Sequence, residues 1–257
     1  MLTWLTKIIA WRNLMEGKFD KNYYDANYFA IPGGKKFNNP GGNQGEWSYA
    51  NHEGEWTGCE PIVKAWKDIF KCQNLLDCGC GRGTFIAYAR VIGIKAVGFD
   101  FSEWAVSHLY THCEGSWVTC KDATKDWGYP DKSFDLVTVL DLMEHLYVED
   151  IGKVINEMYR VAKKYVFLQI ATVGGGSGSG THNNGYILKR GDPVPVELEG
   201  MAVAGHVTVQ DREFWAGKLK RDGWILRDDL VLEFIKLVPL NIISAWVKNT
   251  MIVMERV

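Results

Sequence analysis

Residues 74–84 read NLLDCGCGRGT, and the fold is decided by how this stretch is read. The run 74–78 is too short for a helix and breaks into glycines, so it reads as a buried strand ending in a tight turn. Thr84–Val91 (TFIAYARV) then reads as a helix. Gly79, Gly81 and Gly83 alternate with other residues, which lets the backbone turn sharply and approach a ligand with no side chain in the way. The helix that follows points its positive amino end at the same place. Asp77 stands two positions before the first glycine, and the spacing is G-x-G-x-G rather than the G-x-G-x-x-G of dinucleotide sites. A carboxylate there repels a pyrophosphate and suits a cationic amino group.

Working outward, strand-like and helix-like runs alternate. A helix is predicted over 61–71 after Pro61, a strand over 95–100, and a helix over 103–113 capped by Ser102. Strands follow over 117–120, 134–140 and 165–172, with a helix over 149–162 between the last two. A helix over 209–222 and strands over 224–230 and 251–255 complete the pattern. Such alternation predicts a doubly wound, mostly parallel α/β sheet that binds ligands outside the carboxyl ends of its strands. Asp100 ends the second strand, where a carboxylate accepts ribose hydroxyls; Asp122, after the third, is placed for an adenine amino group. Together these acids fit a nucleoside carrying an amino acid in place of phosphates, namely S-adenosylmethionine.

At these residues the sequence resembles the class I S-adenosylmethionine-dependent methyltransferase family. The matching stretches are LLDCGCGRGTF (75–85), AVGFDFS (96–102), KDA (121–123), FDLVTVLDLMEHL (134–146) and GHVTVQDREFWAGKLKRDGW (205–224). The resemblance implies a seven-stranded Rossmann-like sheet with its last strand antiparallel. It implies that Asp77, Gly79, Gly81 and Gly83 cradle the methionine part and that Asp100, followed by Phe101, holds the ribose. Asp122 and Ala123 would border the adenine, and Asp141 would line the methionine side.

Methyl transfer is an in-line displacement at an already electrophilic sulfonium, so a protein supplies mainly alignment and exclusion of water. A hydroxyl acceptor also needs a nearby base, worth ~10²–10⁴-fold. His145 and His206 are the expected catalytic residues, with His182 in the glycine-rich connection as a third candidate. Asp141, Glu144 and His145, at i, i+3 and i+4, would share one face of a first helical turn and can hold a divalent metal. That pattern resembles the Glu-x-x-Glu-His of ubiquinone-pathway O-methyltransferases and small-RNA 2′-O-methyltransferases, the latter adding a later histidine such as His206. This chain has Asp where they have Glu, and the Glu-His pair also occurs in members without metal, so the expectation is no metal. His108 and His112 are spaced like a chelate but are expected on a solvated helix face.

Residues 1–60 form an aromatic, glycine-rich segment; nine aromatics between 19 and 56 suit a cap over the sheet's ligand edge. The resemblance implies that residues 61–257 form a methyltransferase domain, with 173–206 as a lid-like insertion that is half glycine over 174–185. The 257 residues carry a net charge of −2, which gives no bulk attraction to a polyanion, so nucleic acid is not an expected partner. Eleven each of Trp, Tyr and Phe exclude disorder along the whole length. Six cysteines without a C-x-x-C pair read as reduced, mostly buried thiols of a cytoplasmic protein. The apolar stretches 1–15 and 230–247 pack on the core or a partner, or else touch a membrane interface peripherally. The expected reaction is O-methylation of a small molecule, sugar or lipid-linked glycan, releasing S-adenosylhomocysteine. The alternatives are an RNA or protein methyltransferase and a non-catalytic cofactor-binding subunit.

Overall fold

The computed structural model describes Tyr24 and residues 59–173, 176–177, 180–181, 184–192, 205–239 and 250–257. The expectations for the segment 1–58 apart from Tyr24, for His182 and for 240–249 lie outside the described residues. The helices are α1 (Cys59–Phe70), α2 (Thr84–Val91), α3 (Glu103–Ser107), α4 (Val148–Val161), α5 (Arg212–Leu219) and α6 (Asp228–Leu237). The strands are β1 (Asn74–Cys78), β2 (Lys95–Asp100), β3 (Val118–Cys120), β4 (Phe134–Leu140) and β5 (Ala162–Gln169). They continue with β6 (Gly176–Ser177), β7 (Gly180–Thr181), β8 (Tyr186–Ile187), β9 (Thr208–Val209), β10 (Trp224–Leu226) and β11 (Met251–Arg256).

Seven strands make one sheet in the order β10-β11-β5-β4-β1-β2-β3. Pairs β1–β2, β1–β4, β2–β3 and β4–β5 are parallel, while β11 runs antiparallel to both β5 and β10. From β1 the chain winds out to β3 and then returns to place β4 on the other side. The carboxyl ends of β1 and β4 therefore flank the point where the strand order reverses, where open α/β sheets bind ligands.

Both faces of the sheet are buried because its strands alternate between two apolar layers. Leu76, Val137, Val166 and Ile252 pack with Ile151, Val154, Ile155 and Met158 of α4 and with Trp215 and Leu219 of α5. Leu75, Leu136, Phe167 and Val253 pack with Ile62, Val63 and Trp66 of α1, Ile86 of α2, and Leu230 and Phe234 of α6. The i, i+3, i+4, i+7 spacing along α4 is what turns one stripe of that helix to the sheet.

Several expectations are corrected. The helix after Ser102 stops at Ser107 instead of reaching 113. The chain there is drawn onto the glycine turn: Tyr110 N–H donates to the Arg82 carbonyl at 2.8 Å, and Arg82 Nε donates to the His108 carbonyl. His108 and His112 consequently share no helix; both are exposed, and His108 stacks on Trp104 at 4.4 Å. The helix expected over 209–222 begins at Arg212, where Asp211 caps it by accepting the Phe214 N–H at 2.7 Å. The strand expected over 224–230 ends at Leu226, since Leu230, Val231 and Phe234 fall at helical spacing and are buried as α6. Within the described part of the 230–247 stretch, Leu230, Val231, Phe234 and Val238 are core, whereas Leu232 and Leu237 are exposed. No helix among the described residues is long and apolar enough to cross a membrane.

Candidate active site

β1 delivers Asp77 to the crevice, and the next turn is left-handed at three points, with φ of +79° at Gly79, +53° at Gly81 and +78° at Gly83. A Cβ at Gly79 would lie 2.4 Å from Leu142 Cδ1, and one at Gly83 would lie 2.5 Å from Cys113 Sγ. Glycine is required at both by backbone and by space. Gly83 occupies the N-cap of α2 and brings no capping side chain to the amides of the first turn. Gly98 on β2 has an unstrained backbone, but a Cβ there would stand 2.6 Å from the Asp77 carbonyl oxygen.

The acids fall where the sequence reading places them. Asp77 is 2% exposed and accepts the Thr138 hydroxyl at 2.8 Å. Burial pushes its carboxyl up to about 7, and the nearby Asp100 adds to the rise. Asp100 closes on the backbone: Oδ2 accepts the Gly81 N–H and Oδ1 the Ser102 N–H, each at 2.8 Å. Burial raises its pKa while those amides oppose the rise. An ionised carboxylate offers about four lone-pair sites, so two bonds leave capacity for a diol. Asp122 Oδ1 accepts the Thr124 amide and hydroxyl, and its other oxygen makes neither bond. Ala123 is buried and Phe101 half-buried beside them.

Beyond β4 the chain does not form the predicted helical turn. Asp141 has φ of +48° and precedes a single 3-10 turn, Met143–His145. Asp141 is therefore absent from the cluster that the structure assembles, which comprises Glu144, His145 and His206. Glu144 is fully buried; Oε1 accepts the Ala171 N–H at 3.0 Å, and the side chain also hydrogen-bonds the Asp141 side chain. Burial holds the Glu144 carboxyl well above its usual range, and the adjoining Asp141 raises it further, since two neighbouring carboxyls do not both ionise. His145 lies with Nδ1 3.0 Å from the Gly205 carbonyl, so Nδ1 carries the proton and Nε2 the lone pair. Loss of hydration lowers its pKa to about 4, leaving a neutral imidazole. His206 meets it edge-on, with ring centroids 4.8 Å apart.

Residues 205–209 are held against this turn by Val207 N–H to the Glu144 carbonyl and by the Thr208 hydroxyl to the Leu146 carbonyl, both at 2.8 Å. The β8–β9 pair adds Tyr186, whose hydroxyl donates to the His206 carbonyl at 3.1 Å. Sequence reading missed Tyr186, which carried no signal beyond being aromatic, and counted Tyr24 only among the nine aromatics of the 1–60 segment. Tyr24 spans the edge: its carbonyl accepts the Ser102 hydroxyl, and its own hydroxyl lies 3.4 Å from His145 Nδ1. Thr138 was legible in principle, as the only hydroxyl inside the apolar run FDLVTVL.

Residues 76–168 match the family described as a methyltransferase domain. That match spans the glycine turn, Asp100, Asp122 and the Glu144–His145 turn. The chain is similar to two curated proteins of Rauvolfia serpentina. Ajmaline N-methyltransferase is 36% identical over 99 residues, and norajmaline N-methyltransferase is 35% identical over 99. Each alignment covers 36% of this chain, which spans about a third of the length of those relatives (33%). Among solved structures, the plantazolicin methyltransferase BpumL, crystallised with a desmethyl-plantazolicin analog and S-adenosylhomocysteine, has a TM-score of 0.55. It is 13% identical, over 95% of this chain and 98% of that one, a likeness of fold alone.

Proposed function

We propose that the protein transfers the methyl group of S-adenosylmethionine to an oxygen of a small molecule, sugar or lipid-linked glycan. The observation that carries this reading is the left-handed glycine turn over a buried Asp77, with Asp100 bonded to its backbone. These residues fit the cofactor's amino acid end: the amides of α2 suit its carboxylate, and Asp77 suits its ammonium. Asp100 would take the ribose, with Phe101 alongside; Asp122 and Ala123 would border the adenine, and Asp141 the methionine side. Bound S-adenosylmethionine supplies an electrophilic methyl on sulfur. The protein's part is to align the acceptor, exclude water and remove a proton. His145 and His206 are the residues that would handle that proton. The aromatic segment 1–60, through Tyr24, and the connection 173–206, through Tyr186 and Gly205, would wall the acceptor side. A cytoplasmic enzyme of this kind needs no nucleic acid partner.

A nitrogen acceptor is the second reading, because both curated relatives carry N-methyltransferase names. Calorimetry with S-adenosylhomocysteine and with NAD tests the cofactor; binding of NAD alone would reverse the choice. His145→Ala and His206→Ala should cut turnover more than S-adenosylhomocysteine affinity. Full turnover in both variants would dismiss a histidine role. Comparative mass spectrometry of extracts with and without the gene, seeking a missing CH₂ increment, would identify the acceptor and its methylated atom.

A further inference from the structure

Two thiols flank the glycine turn, and methyl transfer uses neither. Cys80 stands between Gly79 and Gly81, and Cys113 belongs to the segment that leaves α3 and folds back on that turn. A Cβ at Gly83 would lie 2.5 Å from Cys113 Sγ and 3.2 Å from Val118 Cγ2, so the Cys113 thiol fills the space a side chain there would take. A Cβ at Gly98 would lie 3.0 Å from Cys80 Cβ, and Gly98 is the register partner of Val118. The two cysteines are thus set beside neighbouring strands, which run about 5 Å apart. Both pack against the same apolar layer, and a charge on Cys113 opposes ionisation of Cys80. Backbone bonds hold the segments together: Gly83 N–H donates to the Cys80 carbonyl at 2.9 Å, and Tyr110 N–H to the Arg82 carbonyl at 2.8 Å. Cys113 N–H in turn donates to the Tyr110 carbonyl at 2.8 Å. Cys59, Cys72 and Cys78 are sealed in the core, whereas Cys80 and Cys113 are half-buried and within reach of a small reagent.

We propose that Cys80 and Cys113 form an oxidisable dithiol, a modification site for small disulfides such as oxidised glutathione, and that its closure loosens the cofactor turn. The crosslink stands on the placement of the two thiols; its effect on the cofactor rests on the methyl-transfer reading above. Cys113 attacks first, because burial lifts its thiol to about 11 and Cys80 further still. Its thiolate displaces one glutathione and leaves a mixed disulfide, from which the Cys80 thiolate displaces the second. The two thiol protons go to the departing glutathione thiolates, so the protein is oxidised by two electrons and becomes about 2 Da lighter. Closure draws the sulfurs to about 2.05 Å and holds the Cα atoms about 4.4–6.8 Å apart. That pull falls on Cys80, whose neighbour Gly81 gives its N–H to Asp100 Oδ2 at 2.8 Å, in a turn left-handed at Gly79, Gly81 and Gly83. Misaligning one charge-assisted contact to the cofactor weakens binding roughly 10–150-fold.

The test is incubation of the reduced full chain with oxidised glutathione in mildly alkaline buffer. Intact mass and non-reducing peptide mapping read the bond. Calorimetry with S-adenosylhomocysteine is run before oxidation, after it, and after dithiothreitol. We expect a peptide joining Cys80 to Cys113, a cofactor-site affinity roughly 10–150-fold lower, and full recovery on reduction. Cys113→Ser should bind S-adenosylhomocysteine as tightly as the unsubstituted chain and keep that affinity after oxidation. An unsubstituted chain that yields no such peptide, or pairs Cys80 with another cysteine, overturns the site whether or not the variant folds. A crosslinked chain that binds as tightly as the reduced one overturns the effect on the turn. Failure of the reduced chain to bind S-adenosylhomocysteine removes the methyl-transfer reading and that effect with it, while the mapped peptide still decides the crosslink.

Discussion

Asp77→Asn should weaken the cofactor site while stabilising the ligand-free protein. Asp77 is nearly inaccessible, and burial takes its pKa from the ordinary 3.8 to about 7. A folded-state pKa above the unfolded value means that the native protein holds the proton more tightly. Stability linked to this group is therefore intact below about pH 4 and is lost as pH rises toward 7. At 1.36 kcal/mol per pKa unit, the penalty at pH 8 is on the order of 4 kcal/mol. Asparagine is nearly isosteric, its side-chain oxygen can still accept the Thr138 hydroxyl, and it carries no charge to bury. The ligand-free variant should melt several degrees higher at pH 8 and gain less than half as much at pH 5, by differential scanning calorimetry. The same substitution removes the anion facing the cofactor's ammonium, a charge-assisted bond worth about 1.5–3 kcal/mol, so S-adenosylhomocysteine should bind roughly 10–150-fold more weakly. In the unsubstituted protein, affinity should climb between about pH 6 and 8 as Asp77 ionises, with a proton released on binding at pH 6; in the variant that dependence should vanish. Titrations in buffers of different ionisation enthalpy count the proton. A variant that is both less stable and weaker in binding would point to structural damage, and one that binds normally would refute the role of Asp77.

Gly98→Ala should lower stability by at least about 2 kcal/mol in urea unfolding, because its Cβ meets the Asp77 carbonyl at 2.6 Å, where backbone on both strands must yield. A midpoint within error of the unsubstituted protein would show that β1 and β2 separate easily. Asp100→Ala should cost tenfold or more in S-adenosylhomocysteine affinity, since it frees the Gly81 and Ser102 amides along with the proposed ribose contact. Equal affinity would remove Asp100 from the site. Tyr24→Phe keeps the carbonyl that Ser102 bonds but loses the hydroxyl near His145, so turnover should fall about fivefold, the worth of one neutral hydrogen bond, with nucleoside affinity unchanged. A fall in affinity instead would move Tyr24 to the cofactor side.

The parts of the fold legible in the sequence are those governed by local pattern. Strands 74–78, 95–100 and 134–140 and the helix 84–91 fall where apolar runs and glycine punctuation place them. The elements that moved were settled by partners far along the chain. The helix after Ser102 is cut short by Arg82, and 230–237 becomes a helix because α1 and the sheet offer it an apolar seat. Asp141-x-x-Glu144-His145 looked like one helical face, and the left-handed backbone at Asp141 broke that face.

Alone, the sequence determined the sheet's class, the glycine turn and the acids at the strand ends, because each depends on residues within a few positions of one another. Tertiary structure decided that Asp77 is sealed against Thr138, that Glu144 is buried beside Asp141, and that His206 comes to lie with Glu144 and His145. Those facts depend on which distant segments exclude water from a carboxyl or an imidazole, and desolvation belongs to the packed chain rather than to any stretch of it.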